Sequence, residues 1–332
     1  MLHYTRRMRC VGAEIRMSGV RVSAVRAIQF ALLMAATLLA GCSAFQANPF
    51  EIQPTFRDLA YGDHPRQKLD LYLPHDAGGP RPVIVWIHGG RWSGGEKYPA
   101  YPAEILTEAG FAVASIGYRL SGEAAFPAQI NDCKGAIRWL RAHAGEYALD
   151  ADRIGVWGRS AGGHLAALVG TSGDVAELEG DVGGNLDCSS RVQAVADYYG
   201  PTNAFTFAAH VDDCGSGEPP LLGRCLGDIV AHADDPEWAQ WVELARLASP
   251  VYSVTPDDPP FFIAHGTADT RCPPSQSQEL YGRLTAAGVQ VTLSLVAGAE
   301  HGQLPAAEDV KVVDFFRATL GEAAGEQKQY QL

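Results

Sequence analysis

What this 332-residue chain lacks is informative before what it contains. It is short of basic residues: 26 Lys and Arg stand against 38 Asp and Glu, for a formal net charge of −12. Phosphate backbones are bound by clustered Lys and Arg, so no nucleic-acid partner is expected. There is no block of six like charges, no internal repeat and no low-complexity tract, and no charged disordered tail is implied. Close Cys or His pairs at zinc-ligand spacing are missing too; neither a metal nor another cofactor is expected. The apolar run 27–41 is 15 residues long, short of the ~20 that a membrane-spanning helix needs. What is present is apolar material for one large core, since 47% of the residues are hydrophobic and 19% charged.

The N-terminus reads as a processing signal. Arg6, Arg7, Arg9, Arg16, Arg21 and Arg26 form a basic leader, and the apolar run after it ends in Leu39-Ala40-Gly41-Cys42. That ending resembles the bacterial lipobox. It implies removal of residues 1–41 and a lipid anchor on Cys42. Translation from Met17 would give a signal of conventional length. Ser43, rather than Asp, follows the Cys, and the resemblance to Gram-negative lipoproteins then implies an exported, periplasm-facing or outer-membrane protein. Residues 42–54 become a tether ahead of a domain at 55–322. Exported proteins keep disulfides. Cys214 and Cys225 bracket a Gly/Pro-rich loop and are expected to pair; Cys188 with Cys272 is the second expected bridge. Cys133, on an apolar helical face, reads as a buried thiol.

From Phe56 onward, short β-rich runs alternate with helical stretches. Residues 68–73 alternate like an edge strand, while 83–87 form the continuous apolar run of a strand covered on both faces. Further strands are expected at 111–116, 154–158, 194–199, 261–265 and 291–296. Helices are expected at 99–109, 127–143, 161–169, 275–287 and 307–320. This alternation implies a mostly parallel sheet with helices on both faces. The connection 200–259, about sixty residues, is too long for that rhythm. It reads as a cap insertion over the site, with Trp238 and Trp241 as candidate substrate contacts.

The chemistry gathers at strand ends. Gly158-Arg159-Ser160-Ala161-Gly162 is a G-x-S-x-G pattern between an expected strand and an expected helix. That context exposes a serine on a sharp turn and leaves no room for side chains beside it. A nucleophilic Ser needs a base, and the base an orienting acid. His301 follows the last strand and Asp269 the one before, so the chain order is Ser, Asp, His. Both sit where open α/β sheets place their sites. Asp257 and Asp258 precede their strand and fall at the wrong end. In His88-Gly89-Gly90-Arg91-Trp92, the N–H of Gly89 or Gly90 is expected to join that of Ala161 in an oxyanion hole. Arg91, Trp92 and Arg159 are further candidate substrate contacts. His164 reads as packing on the helix, and Tyr118, Arg119 and Asp132 as polar supports.

Longer blocks surround these residues: VIVWIHGGRWSGGEK, ASIGYRLS, FPAQINDCKGAIRWLRAHA, DRIGVWGRSAGGHLAALVG, HGTADTRCPPSQS and AEHG. From about Asp58 to Leu320 they resemble the α/β-hydrolase superfamily, in the esterase/lipase group that includes bacterial feruloyl and acetyl-xylan esterases. The resemblance implies an α/β-hydrolase fold with a mostly parallel eight-stranded sheet. It also implies Ser160, Asp269 and His301 as the triad, and metal-free hydrolysis of a short-chain, aryl or polysaccharide-linked ester through an acyl-enzyme. Arg91 stands where many relatives have a third Gly, and Cys272 where they usually carry an aliphatic residue. His-Gly-Gly-x-Trp is also similar to the kynurenine formamidase motif. A formamidase or peptidase on the same fold therefore stays open, as does a surface lipoprotein that binds without turnover.

Overall fold

The centre of the fold follows from strands that offer water nothing polar. In β3 (Arg81–Ile87) every residue is buried, and it pairs in parallel with β5 (Leu149–Arg159). The computed structural model describes residues 52–75, 78–211, 215 and 217–321; the expected signal, Cys42 and Cys214 lie outside them. Six more strands are β1 (Phe56–Ala60), β2 (Lys68–Tyr72), β4 (Ala112–Ile116), β6 (Ala194–Tyr198), β7 (Phe261–Gly266) and β8 (Val291–Val296). The sheet order is β1-β2-β4-β3-β5-β6-β7-β8. The β1–β2 and β2–β4 pairs are antiparallel and the others parallel.

Alternate residues of a strand face opposite ways, and the sheet divides two cores accordingly. Val83, Val85, Ile87, Ile154 and Val156 enter the first; Ile84, Trp86 and Trp157 enter the second. The first is closed by α2 (Ala128–Ala142) and α3 (Ala161–Thr171) through Ile130, Ile137, Leu165 and Leu168. Leu280 and Leu284 of α7 (Ser275–Ala286) join the same side. The second is closed by α1 (Ala103–Glu108) and α8 (Ala306–Leu320) through Leu106, Val312 and Phe316.

Three differences from the sequence reading have local causes. β1, in FRDLA, carries polar residues and a register shift at Asp58, whose φ is 58°. Its pairing shows only in three dimensions. The helix expected over 99–109 begins only at Ala103, because Pro99 and Pro102 bring no N–H to a helical ladder. β5 begins at Leu149, five residues before the apolar run at 154–158 that marks it in the sequence. Within 200–259 lie α4 (Ala204–Phe207), α5 (Leu226–Ala231) and α6 (Ala239–Leu247). Phe207, Leu226, Ile229 and Ala245 of this segment pack into the first core.

The expected Cys188–Cys272 bridge is not formed: both are free thiols, as is Cys133. Cys272 follows the carboxyl end of β7, whereas Cys188 precedes the amino end of β6. In neighbouring parallel strands those ends lie on opposite edges of the sheet. Cys225 is disulfide-bonded; Cys214, the partner expected for it, is not among the described residues.

Candidate active site

Ser160 sits at the turn from β5 into α3 with φ 55° and ψ −121°. A non-glycine residue in such a region stores of order 1–3 kcal/mol of strain, and the surroundings enforce it. Its N–H donates to the Tyr198 carbonyl (2.8 Å), and its carbonyl accepts from His164 N–H (2.9 Å). A Cβ on Gly158 would stand 2.0 Å from the Gly162 carbonyl oxygen, and one on Gly162 2.1 Å from that of Ile87. Strand and helix therefore meet backbone to backbone, and the serine is the residue left projecting.

His301, on the loop after β8, brings Nε2 to 3.0 Å from Ser160 Oγ. Its Nδ1–H donates to Asp269 Oδ2 at 2.7 Å. Asp269, after β7, accepts at Oδ1 from the N–H groups of Arg271 and Cys272, both at 2.9 Å. A second imidazole, His265 at the end of β7, lies 3.3 Å from Oδ2 through Nε2, which also donates to the Cys272 carbonyl at 2.8 Å. Its Nδ1 accepts from Ser277 Oγ at 2.7 Å. Burial alone would raise the Asp269 carboxyl. The hydrogen bonds from His265, His301 and Cys272 N–H outweigh it and hold Asp269 well below the usual carboxylate range. Asp269 thus stays ionised, and His301 is fixed in the tautomer that leaves Nε2 free to take a proton from Ser160.

The loop after β3 passes directly over the serine. A Cβ on Gly89 would lie 2.8 Å from the Arg159 carbonyl oxygen and 3.4 Å from Ser160 Cβ. Gly90 has φ 122°, and its carbonyl accepts from the N–H groups of Ser93 and Gly94. Ala161 is the first residue of α3, so its N–H has no partner within the helix. Two buried histidines brace this loop. His88 donates from Nδ1 to the Gly89 carbonyl at 2.8 Å and stacks on Tyr118, whose hydroxyl donates to the His88 carbonyl at 3.0 Å. The Trp92 indole N–H donates to His164 Nδ1 at 3.0 Å, and His164 Nε2–H donates to the Ala248 carbonyl at 2.7 Å. Below the loop, Asp132 binds Arg119 and Gln67 Nε2, at 2.7 Å to each.

Burial pushes both His88 and His164 down to about 4, against ~6.5 in an unfolded chain. The unfolded state therefore binds more protons between those values, and stability falls as pH drops from about 6.5 to about 4. Asp197, buried and pushed up to about 6, titrates the other way and offsets roughly one of the two. A net loss of about 3 kcal/mol is expected over that window, with no contribution from these histidines above it. Urea unfolding across pH 4.5–7 checks this, and a flat profile would contradict neutral buried rings.

Ser160, His301, Gly89, Gly90, Ala161, Arg91, Trp92 and Arg159 all line one cleft of about 1110 Å³. Phe207, Leu222 and Ala248 from segment 200–259 line it as well. Trp238 and Trp241, offered above as substrate contacts, do not. They pack on each other at 5.6 Å, with Trp238 stacked on His232 and Arg224 set against both rings. Asp258 closes its own turn by accepting from Thr255 N–H and Oγ1, ahead of β7 as expected. Sequence reasoning missed His265, Tyr101 and Tyr199. For His265 a local signal existed: it lies four residues before Asp269 on the same strand end. Tyr199 follows β6 with φ 45°, and its ring meets His301 at 4.8 Å.

Sheet order and the placement of Ser160 define the class: an α/β-hydrolase. More narrowly, the chain matches the BD-FAE family over residues 69–284 and belongs to it. Among solved structures it is similar to a truncated carbohydrate esterase from gut microbiota, with 32% identity and a TM-score of 0.68 over 81% of this chain and 97% of that one. It is also similar to an acetyl ester-xyloside bifunctional hydrolase from Caldicellulosiruptor lactoaceticus, with 27% identity and a TM-score of 0.62 over 76% and 87% of the two chains. A curated relative is Esterase LipC of Mycobacterium tuberculosis, 32% identical over 74% of this chain and 59% of that protein. The chain spans between 51% and 59% of the length of that relative and two others it matches.

Proposed function

We propose that the protein is a serine carboxylic ester hydrolase working through an acyl-enzyme. The observation that carries this reading is the unbroken hydrogen-bonded line from Ser160 Oγ through His301 to Asp269, opening on the cleft. Ser160 Oγ attacks the ester carbonyl carbon as its proton passes to His301 Nε2. The carbonyl oxygen, now negative, faces the N–H of Ala161 and of Gly89 or Gly90. The C–O bond to the alcohol breaks, and the alcohol leaves with the proton from His301. Water then adds to the acyl-serine, giving its proton to His301, and the acid departs as that proton returns to Ser160.

Similarity to a carbohydrate esterase and to an acetyl ester-xyloside hydrolase supports short acyl or aryl esters, including acetyl or feruloyl groups on plant polysaccharides. The test is turnover of p-nitrophenyl acetate, methyl ferulate, N-formylkynurenine and a peptide anilide. Faster hydrolysis of at least one ester than of the formamide and anilide is expected. No ester hydrolysis, or a preference for the formamide, would contradict the reading. The proposed setting, a lipid anchor at Cys42 facing the periplasm, rests on the sequence before Ser43. Palmitate labelling in a Gram-negative host should be lost in Cys42→Ser, and labelling that persists would overturn it.

A further inference from the structure

We infer that Arg159 forms an anion subsite beside Ser160, so that the preferred ester carries a carboxylate close to the scissile bond. This rests on the esterase reading above and adds a substrate class to it. Arg159 directly precedes the nucleophile and lines the cleft. Its Nε donates to the Tyr199 hydroxyl at 2.6 Å, and its guanidinium carbon lies 4.0 Å from the centre of the Tyr101 ring. Tyr101 is held in turn by Asp309, to which its hydroxyl donates at 2.6 Å. The fork is thus oriented on two sides. Among the described residues, Nη1 and Nη2 meet no hydrogen-bond acceptor, and no carboxylate pairs with them.

Other arginines spend their forks on acceptors of the fold: Arg66, Arg119 and Arg138 each meet a carboxylate, and Arg141 meets the carbonyls of Ala151, Ser189 and Arg191. A preoriented guanidinium with free N–H groups favours a planar, bidentate carboxylate over any neutral group. The rest of the cleft agrees in sign. Arg91 and Arg271 line it too, and among the described lining residues Glu218 is the sole acid. Glu218 lies 3.4 Å from Arg91 and accepts from Ser93 Oγ at 2.6 Å. Asp212 and Asp213 lie in the adjoining chain, outside the described residues. Cations gather here although the chain as a whole is at −12, so composition does not account for them. Tyr199 links the subsite to the chemistry, with its hydroxyl on Arg159 and its ring against His301.

Two pairs of esters test the inference and locate the charge. The pair 4-acetoxybenzoate and its methyl ester differs in charge on the alcohol side. The pair p-nitrophenyl hemisuccinate and p-nitrophenyl methyl succinate differs on the acyl side. The readout is the ratio of kcat/KM for the anionic over the neutral member. At least one ratio should reach about 10, fall about 10-fold in Arg159→Gln, and shrink as salt is raised. Arg159→Lys should retain part of it. With wild type alone, benzoate should inhibit more strongly than benzamide, which keeps the test valid should the variants fold poorly. Ester hydrolysis with both ratios at or below one, ratios unchanged by Arg159→Gln, or equal inhibition by the two aromatics would overturn the subsite and leave the esterase reading standing. Hydrolysis of none of the four esters would overturn both.

Discussion

Ser160→Ala should lower kcat by about 10⁶-fold, because the members of a nucleophile–base–acid unit act together and removing the nucleophile forfeits nearly all they supply. The site gives no substitute. Cys272, also on the cleft wall, is a buried thiol pushed far from ionisation by desolvation and by the Asp269 charge. What remains in the variant is binding and the oxyanion amides, so KM should change much less than kcat. The fold should hold: Ala keeps the Cβ, and the side chain's only described hydrogen bond is the one to His301. Steady-state kinetics on p-nitrophenyl acetate, with circular dichroism as the fold control, makes the check. Residual turnover within 100-fold of wild type would place the nucleophile elsewhere.

The second large effect is at Asp269. Asp269→Asn should cost about 10⁴-fold in kcat with little change in stability. Oδ1 accepts from two backbone N–H groups, so that oxygen must remain an oxygen in the variant. The new amide NH₂ therefore replaces Oδ2 and points at His301 Nδ1 and His265 Nε2, two positions that now donate to it. Donor faces donor. His301 escapes by moving its proton to Nε2, and a protonated Nε2 cannot accept from Ser160. A simple flip of the amide gives no relief, because it would leave the two backbone donors unmatched instead. A variant with near-wild-type kcat at neutral pH would show that Asp269 does not set the tautomer.

Legibility in the sequence tracked how local each feature is. Ser160, Asp269 and His301 could each be read from a few residues plus a position after an expected strand, and the structure brings all three into one hydrogen-bonded line. The central strands were readable because both faces are covered, which leaves a continuous apolar run such as Val83 to Ile87. β1 was not, since it is half-polar and depends on β2 for its pairing. The Tyr101–Arg159–Tyr199 arrangement was invisible for the same reason. It joins residues 40 and more positions apart in the chain, and nothing local marks them as neighbours. Trp238 and Trp241 draw notice because two tryptophans in a long insertion suggest a binding wall, but they are not among the residues that line the cleft. In the fold they serve the insertion's own packing, against His232 and Arg224. The Cys188–Cys272 pairing failed because counting cysteines says nothing about which edge of the sheet each occupies.

The central claim is that Ser160 becomes covalently acylated during turnover. Phenylmethylsulfonyl fluoride reacts with serines activated in this way, and its adduct is stable enough for peptide mass spectrometry. One sulfonyl group per chain is expected, on the peptide that contains Gly158-Arg159-Ser160-Ala161-Gly162, with activity lost in proportion to labelling and no adduct in Ser160→Ala. Full loss of activity with the label on another residue, or active protein with Ser160 fully sulfonylated, would contradict the account.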